Sequence, residues 1–584
     1  MSRFSIGEED FLLDGDPVRV ISGALHYFRV HPDQWADRIR AARELGLNTI
    51  ETYVPWNAHS PRRGEFSTEG ILDLGRFLDE VAAQGMWAIV RPGPYICAEW
   101  TGGGLPGWLF SAGAGVRRAE PTYLAAIREY YEAVAEIVAP RQVDRDGPVI
   151  LVQVENEYGA YGSDKEYLRT LVDLLREVGI TTPLTTIDQP EPHMLENGSL
   201  PGLHKTASFG SRSLERLATL REHQPTGPLM CAEFWDGWFD SWGQHHHTTS
   251  AQDSARELDA LLAAGASVNL YMLCGGTNFG LTNGANDKGV YVPISTSYDY
   301  DAPLDEAGRP TEKYWAFRDV IAKYAVVPPA ARDEHAPAPT FTLPLTSAVP
   351  LWDVLDLLGA EQELDHLPTA DDLGHYDGFT MYRSLDPSAH GVLELGEVRD
   401  RAQVFIDREG VGVLSRDHGE RRVVLPRSGA LEILVEDLGR VNYGTRIGEP
   451  KGLVGPASLD GADLGRWAVR PLDLGDVSGV AARARDGEPL ADGVVPGPSF
   501  AVASFDTPDH EADHFLDTSA WGKGVAWVNG FCLGRFWSRG PQSTLYVPAP
   551  VLRAEGNELL VLVLDSAGAQ ARFVADLELG HTEQ

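Results

Sequence analysis

The chain has 584 residues, more than a single hydrophobic core supports, so roughly two to four domains are expected. Its 43% hydrophobic content is ordinary for a globular protein, and a formal charge of −36 disfavours nucleic acid and anionic membrane surfaces as partners. What remains suits neutral or cationic small molecules. Over about the first 325 residues, short β-rich runs alternate with helical stretches. In chain order the strand candidates are ISGALHYF, NTIETYVPW, WAIVRPG, PVILVQVENEYG, PLTTID, KTASFG, PLMCAEFW and ASVNLYMLCGG. Amphipathic segments such as QWADRIRAARELG, ILDLGRFLDEVAAQG and YLRTLVDLLREVG lie between them. Eight strands in this length predict a (β/α)8 TIM barrel over 1–325, and a doubly wound sheet is disfavoured because no Gly-rich phosphate fingerprint follows the first strand.

Beyond the barrel, AVVPPAARDEHAPAPT is rich in Pro and Ala, and 326–370 reads as a linker or wrapping segment. Short strands with turn residues follow. They predict all-β sandwich modules, one over 371–480 and a second over 481–584. Trp527, Trp537 and Tyr546 in the last block are expected to fill structural cores rather than to present a glycan platform. The N-terminal twenty residues show no apolar core of a secretory signal, no run approaches the roughly 18 apolar residues of a membrane span, and Cys97, Cys231, Cys274 and Cys532 are scattered. A reduced, cytoplasmic setting is therefore expected, and a homodimer is compatible with it.

In a TIM barrel the active site forms where strands end. Strand four ends in VQVENEYG, with Glu155, Asn156 and Glu157, and strand seven ends with Glu233 in CAEFWDGWFDSWG. Carboxylates on those two strand ends would converge across the barrel mouth, as retaining glycoside hydrolysis requires of its proton donor and its nucleophile. Aromatics after Glu233, including Trp235 and Trp238, suit a site for sugar rings. Adjacent His245, His246 and His247 cannot all face one ion, so no metal is expected, and the two-carboxylate chemistry calls for no cofactor.

At these residues the chain resembles the glycoside hydrolase family 35 β-galactosidases of the bacterial, intracellular type. The resemblance rests on FLLDGDPVRVISGALHYFRV, ETYVPWNAHSPRRGEF, RPGPYICAEWTGGGLPGWL, VQVENEYG, EFWDGWFDSWG, GGTNFG and SYDYDAPLDEAG, and continues more weakly through GRVNYGTRIGEPKGLVG and KGVAWVNGFCLGRFW. It implies galactose-binding-like jelly rolls after the barrel and a retaining exo-β-galactosidase acting on terminal β-galactosides. By motif position it implies Glu157 as acid/base and Glu233 as nucleophile. Tyr53, Cys97, Ala98, Glu99 and Asn156 would hold the galactose hydroxyls. Tyr300 would hydrogen-bond the nucleophile, with Tyr271 on the same wall. Trp235, Trp238 and Tyr443 resemble an aglycone platform that favours β-1,3-linked galactose. Rival readings are another retaining exo-β-glycosidase on the same barrel and a catalytically silent glycan-binding protein. Glu155, side by side with Glu157 on one strand face, is expected to hold the strand end by pairing with Arg91 rather than to react.

Overall fold

The computed structural model describes residues 3–330, 336–386, 389–490 and 493–582. Eight parallel strands close a barrel: β1 Ile21–Leu25, β2 Thr49–Tyr53, β3 Trp87–Arg91, β4 Val149–Gln153, β5 Leu184–Asp188, β6 His204–Phe209, β7 Met230–Trp235 and β8 Ser267–Cys274. β8 pairs with β1 from Val268 opposite Ile21, which shuts the ring. These are the eight runs read from the sequence. Their residues are buried almost throughout because helices cover the outside and neighbouring strands fill the inside.

The covering helices include Trp35–Leu45, Leu74–Ala83, Pro121–Val138, Lys165–Glu177, Ala251–Ala263 and Glu312–Ile321. Several begin at a side chain that accepts from the first-turn amides, among them Asp73, Asp164, Ser250 and Thr311. The N-terminal strands Phe4–Ile6, Phe11–Leu13 and Asp16–Val18 form a small antiparallel sheet. Phe4 and Phe11 pack with Ile89, Ile150 and Met230 at the strand beginnings, so this sheet plugs the bottom of the barrel and leaves the strand ends for the site.

The remainder corrects the expected linker. Phe341–Pro344 pairs antiparallel with Gln570–Val574, and Ser347–Pro350 pairs with Ser499–Phe505, so both strands belong to the C-terminal sandwich. Gln362–Leu364 pairs with Trp467–Leu472 in the first all-β domain. Residues 331–335 of the same segment lie outside the described residues. The first all-β domain, built on a six-stranded and a four-stranded sheet, is thus inserted between strands of the C-terminal sandwich.

Each all-β domain is tied to the barrel by its own set of contacts. Val441–Gly444 from the first all-β domain runs parallel to Ala285–Asp287 beyond β8. Beneath this junction Lys451 Nζ reaches Asp400 at 2.5 Å and Asp437 at 3.1 Å, and Tyr291 donates to Asp400 at 2.9 Å. From the C-terminal sandwich, Arg535 donates to Asn283 at 2.5 Å and the Ser297 amide donates to Gln542 at 2.8 Å. Trp527, Trp537 and Tyr546 are all buried, but at domain junctions: Trp527 packs with Phe379 and Leu434, Trp537 with Trp242 and Val441, Tyr546 with Phe279.

Candidate active site

β4 stops at Gln153, and the chain then leaves extended geometry, with φ of 59° at Glu155 and 42° at Glu157. The two carboxylates therefore do not share a strand face, and each is aimed by its own turn. Glu155 is 1% exposed and accepts from Arg117 Nε at 3.0 Å and Nη2 at 2.8 Å, from Tyr167 at 2.9 Å and from the Asn156 amide at 2.6 Å. Its partner is Arg117 and not Arg91, a correction to the sequence reading. Glu157 turns the other way, into the cavity, where one oxygen accepts from Ser208 at the end of β6 at 2.7 Å. Desolvation by the cavity walls, reinforced by the negative charge of Glu233, pushes the Glu157 carboxyl up to about 7.

Glu233, on β7, meets a different set of neighbours. One oxygen accepts from Tyr53 at 2.7 Å and from Arg91 at 2.6 Å, and the other accepts from Trp235 Nε1 at 3.1 Å. Three donors on two oxygens suit a charged carboxylate and fix its orientation. Arg91 is itself held, with its guanidinium 4.0 Å over the Tyr53 ring and 3.6 Å from Glu51. Tyr300, expected to orient this carboxylate, instead lines the wall 5.5 Å from Tyr271, edge to face. The orienting hydroxyl is that of Tyr53. Asn156 bridges the two halves of the site: its Oδ1 accepts from Arg91 at 2.6 Å and lies 2.8 Å from the Tyr53 hydroxyl, whose single proton it shares with Glu233, and the residue lines the cavity.

Cys97, Ala98 and Glu99 form the adjacent wall in three successive left-handed conformations, with φ of 55°, 51° and 48°. Such backbone costs about 1–2 kcal/mol per residue unless its surroundings impose it. Here Arg29, stacked 3.8 Å over Tyr298, donates to the Ala98 carbonyl at 2.6 Å, and Asn442 of the inserted domain approaches the Cys97 sulfur at 3.5 Å. Glu99 accepts from Tyr298 at 2.5 Å, and burial pushes its carboxyl up to about 7. Trp235 and Trp238 meet edge to face at 5.9 Å, and Tyr443, in the wall of the same cavity, has its ring 5.1 Å from Lys288 Nζ.

All twelve residues singled out in the sequence thus line one cavity: Tyr53, Cys97, Ala98, Glu99, Asn156, Glu157, Glu233, Trp235, Trp238, Tyr271, Tyr300 and Tyr443. The sequence reading missed Gln189, Phe239, Asn286 and Lys288, which also line it. Gln189 directly follows the end of β5 and was discoverable by the strand-end rule. Asn286 lies on the short strand Ala285–Asp287 and Lys288 directly follows it, outside the barrel strands whose ends carry that signal. Among the described residues no group of three or more His, Cys, Asp or Glu side chains is arranged to hold a metal ion, and His246 instead faces Asp240 at 2.7 Å. None of the described helices is long and apolar enough to cross a membrane.

Residues 10–324 match Glycosyl hydrolases family 35. Residues 368–473 match the first all-beta domain of beta-galactosidase, and 498–557 match its galactose-binding domain. A beta-galactosidase of Xanthomonas manihotis is 41% identical, the alignment covering 92% of this chain and 90% of that protein. The Bos taurus and Homo sapiens beta-galactosidases are 40% and 39% identical, over 96% and 97% of this chain and 90% and 88% of their own lengths.

Proposed function

This chain belongs to glycosyl hydrolase family 35 and removes terminal β-galactose from β-galactosides, and we propose that it does so with retention, through Glu233 as nucleophile and Glu157 as acid/base. One observation carries the assignment of roles. The two carboxyls face the same cavity from β4 and β7 in opposite settings, Glu157 raised to about 7 and Glu233 ringed by Arg91, Tyr53 and Trp235. A carboxyl that keeps its proton near neutrality can donate it, and a carboxylate fixed by three donors can attack.

In the first step Glu233 forms a bond to the anomeric carbon while the glycosidic bond breaks and Glu157 gives its proton to the departing oxygen. Once Glu233 is esterified its charge is gone, so Glu157 loses the repulsion that, after burial, helped to raise it, and it becomes a base. It then takes a proton from water, whose oxygen displaces Glu233 and returns β-galactose. Asn156, which lines the cavity, is assigned to donate to the sugar 2-hydroxyl, and Glu99 to accept from other hydroxyls. Azide rescue tests the roles. Glu233→Gly should lose hydrolysis and, with azide in the emptied position, give the α-galactosyl azide. Glu157→Gly should give the β-galactosyl azide. Exchange of these two products would reverse the assignment.

The finer reading is a preference for β-1,3-linked galactose, supported by Trp235, Trp238 and Tyr443 around the mouth. Trp235 also binds the nucleophile, so the platform falls chiefly to Trp238 and Tyr443. Equal rates on β-1,3- and β-1,4-linked galactosyl-N-acetylglucosamine would remove this preference.

A further inference from the structure

A second cavity, of about 580 Å³, opens beside the first and has no part in the chemistry above. Its size falls in the roughly 300–1,000 Å³ range of small-ligand sites. Its walls include Tyr158, Tyr161, Arg118, Ser163 and Ile447. Two features place it next to the catalytic cavity, although the two cavities share no lining residue. The dipeptide Glu157–Tyr158 contributes its first residue to one cavity and its second to the other. Likewise Tyr443 lines the catalytic cavity and Ile447, four residues on, lines this one.

Tyr161 is 44% exposed, high for a large aromatic, and yet it is held. The guanidinium of buried Arg117 lies 4.2 Å from its ring and 3.7 Å from that of Tyr95, and its hydroxyl donates to the Val116 carbonyl at 3.5 Å. An exposed ring with its orientation already fixed loses little freedom when a flat apolar partner stacks on it. Around it the rim is polar, with Arg118 and Ser163 both exposed.

We infer that this cavity is a second aglycone subsite, which takes the sugar two residues from the scissile galactose and stacks it on Tyr161. The inference rests on the galactosidase reading, because Glu157 must face the departing oxygen for the leaving sugars to run past it toward Tyr158. The test compares kcat/KM on nitrophenyl β-galactoside, on galactosyl-β-1,3-N-acetylglucosamine, and on that disaccharide extended at its reducing end by β-1,3-linked galactose. The wild type should gain about tenfold from disaccharide to trisaccharide, the factor one aromatic–sugar stack supplies. Tyr161→Ala should erase that gain and leave the two shorter substrates within about twofold. Tyr161→Phe, which keeps the ring, should retain it. Absence of the gain in the wild type would overturn the proposal, as would an equal loss by Tyr161→Ala on all three substrates, which would make Tyr161 only a support for Arg117. Failure of the wild type on every galactoside would overturn the galactosidase reading and this subsite with it.

Discussion

Two glutamates two positions apart have unrelated jobs because their backbones turn them to different neighbours. Glu157 must carry a proton to act as acid, and its raised carboxyl keeps that proton up to about pH 7. On a sugar aglycone kcat/KM should therefore fall about tenfold per pH unit above about 7. A dinitrophenyl leaving group needs no proton, so its profile should lack that limb. Glu99 is raised to the same range but meets the galactose of both substrates alike, so only the difference between the two profiles belongs to Glu157. Glu157→Gln should lower kcat/KM on the sugar substrate by about 10²–10⁴-fold and spare kcat/KM on the dinitrophenyl one, whose kcat should still fall because the second step loses its base. At Glu155 the balance is reversed. Glu155→Gln leaves Arg117 buried beside a neutral amide, and breaking a buried pair in this way costs about 3–5 kcal/mol. A lowered unfolding midpoint, with smaller loss of kcat than in Glu157→Gln, is the expected result.

At the level of elements, the inserted domain does more than stand beside the barrel. Its strand Val441–Gly444 delivers Tyr443 to the cavity and Asn442 to the back of the Cys97 turn. Gly284 sits at that joint, where an added Cβ would lie 2.5 Å from Asn442 Oδ1 and 2.9 Å from the Glu99 carbonyl. Gly284→Ala should cost about 1–3 kcal/mol by overpacking and should raise KM more than it lowers kcat, because the displaced groups bind sugar rather than react. The barrel strands were legible in the sequence because a parallel strand buried on both faces reads as a continuous apolar run. Tyr53, Glu99, Asn156, Glu157 and Glu233 were legible because polar residues end those runs or directly follow them, whereas Cys97, Ala98, Tyr271, Tyr300 and Tyr443 came from the family resemblance. Partner choice was not legible. Arg117 lies in a loop without periodicity, and at φ 54° its side chain is aimed by local geometry that spacing does not encode. Tyr53 and Glu233 are 180 residues apart, so nothing local distinguished Tyr53 from Tyr300 as the hydroxyl on the nucleophile. Phe341–Pro344 and Ser347–Pro350 were hidden by their prolines, which mark loops in general but are tolerated at strand ends.

For the whole molecule, that misread segment decides which fragments can fold. Without Phe341–Pro344 and Ser347–Pro350, the C-terminal sandwich loses Leu343, Leu345 and Ala348 from its core and leaves the edges of Gln570–Val574 and Ser499–Phe505 unpaired. Residues 481–584 alone should aggregate or remain unfolded. The same fragment joined through a glycine-rich linker to residues 336–351 should show a cooperative thermal transition by circular dichroism. Identical behaviour of the two fragments would refute this. The insertion also sets a timetable for synthesis. Ser347 leaves the ribosome about 150 residues before its partner Val502, which at roughly 5–20 residues per second is a wait on the order of 10–30 s. Through that interval two finished strands stand open while an entire domain folds between them. A cell making this protein must shelter them until the end of the chain arrives.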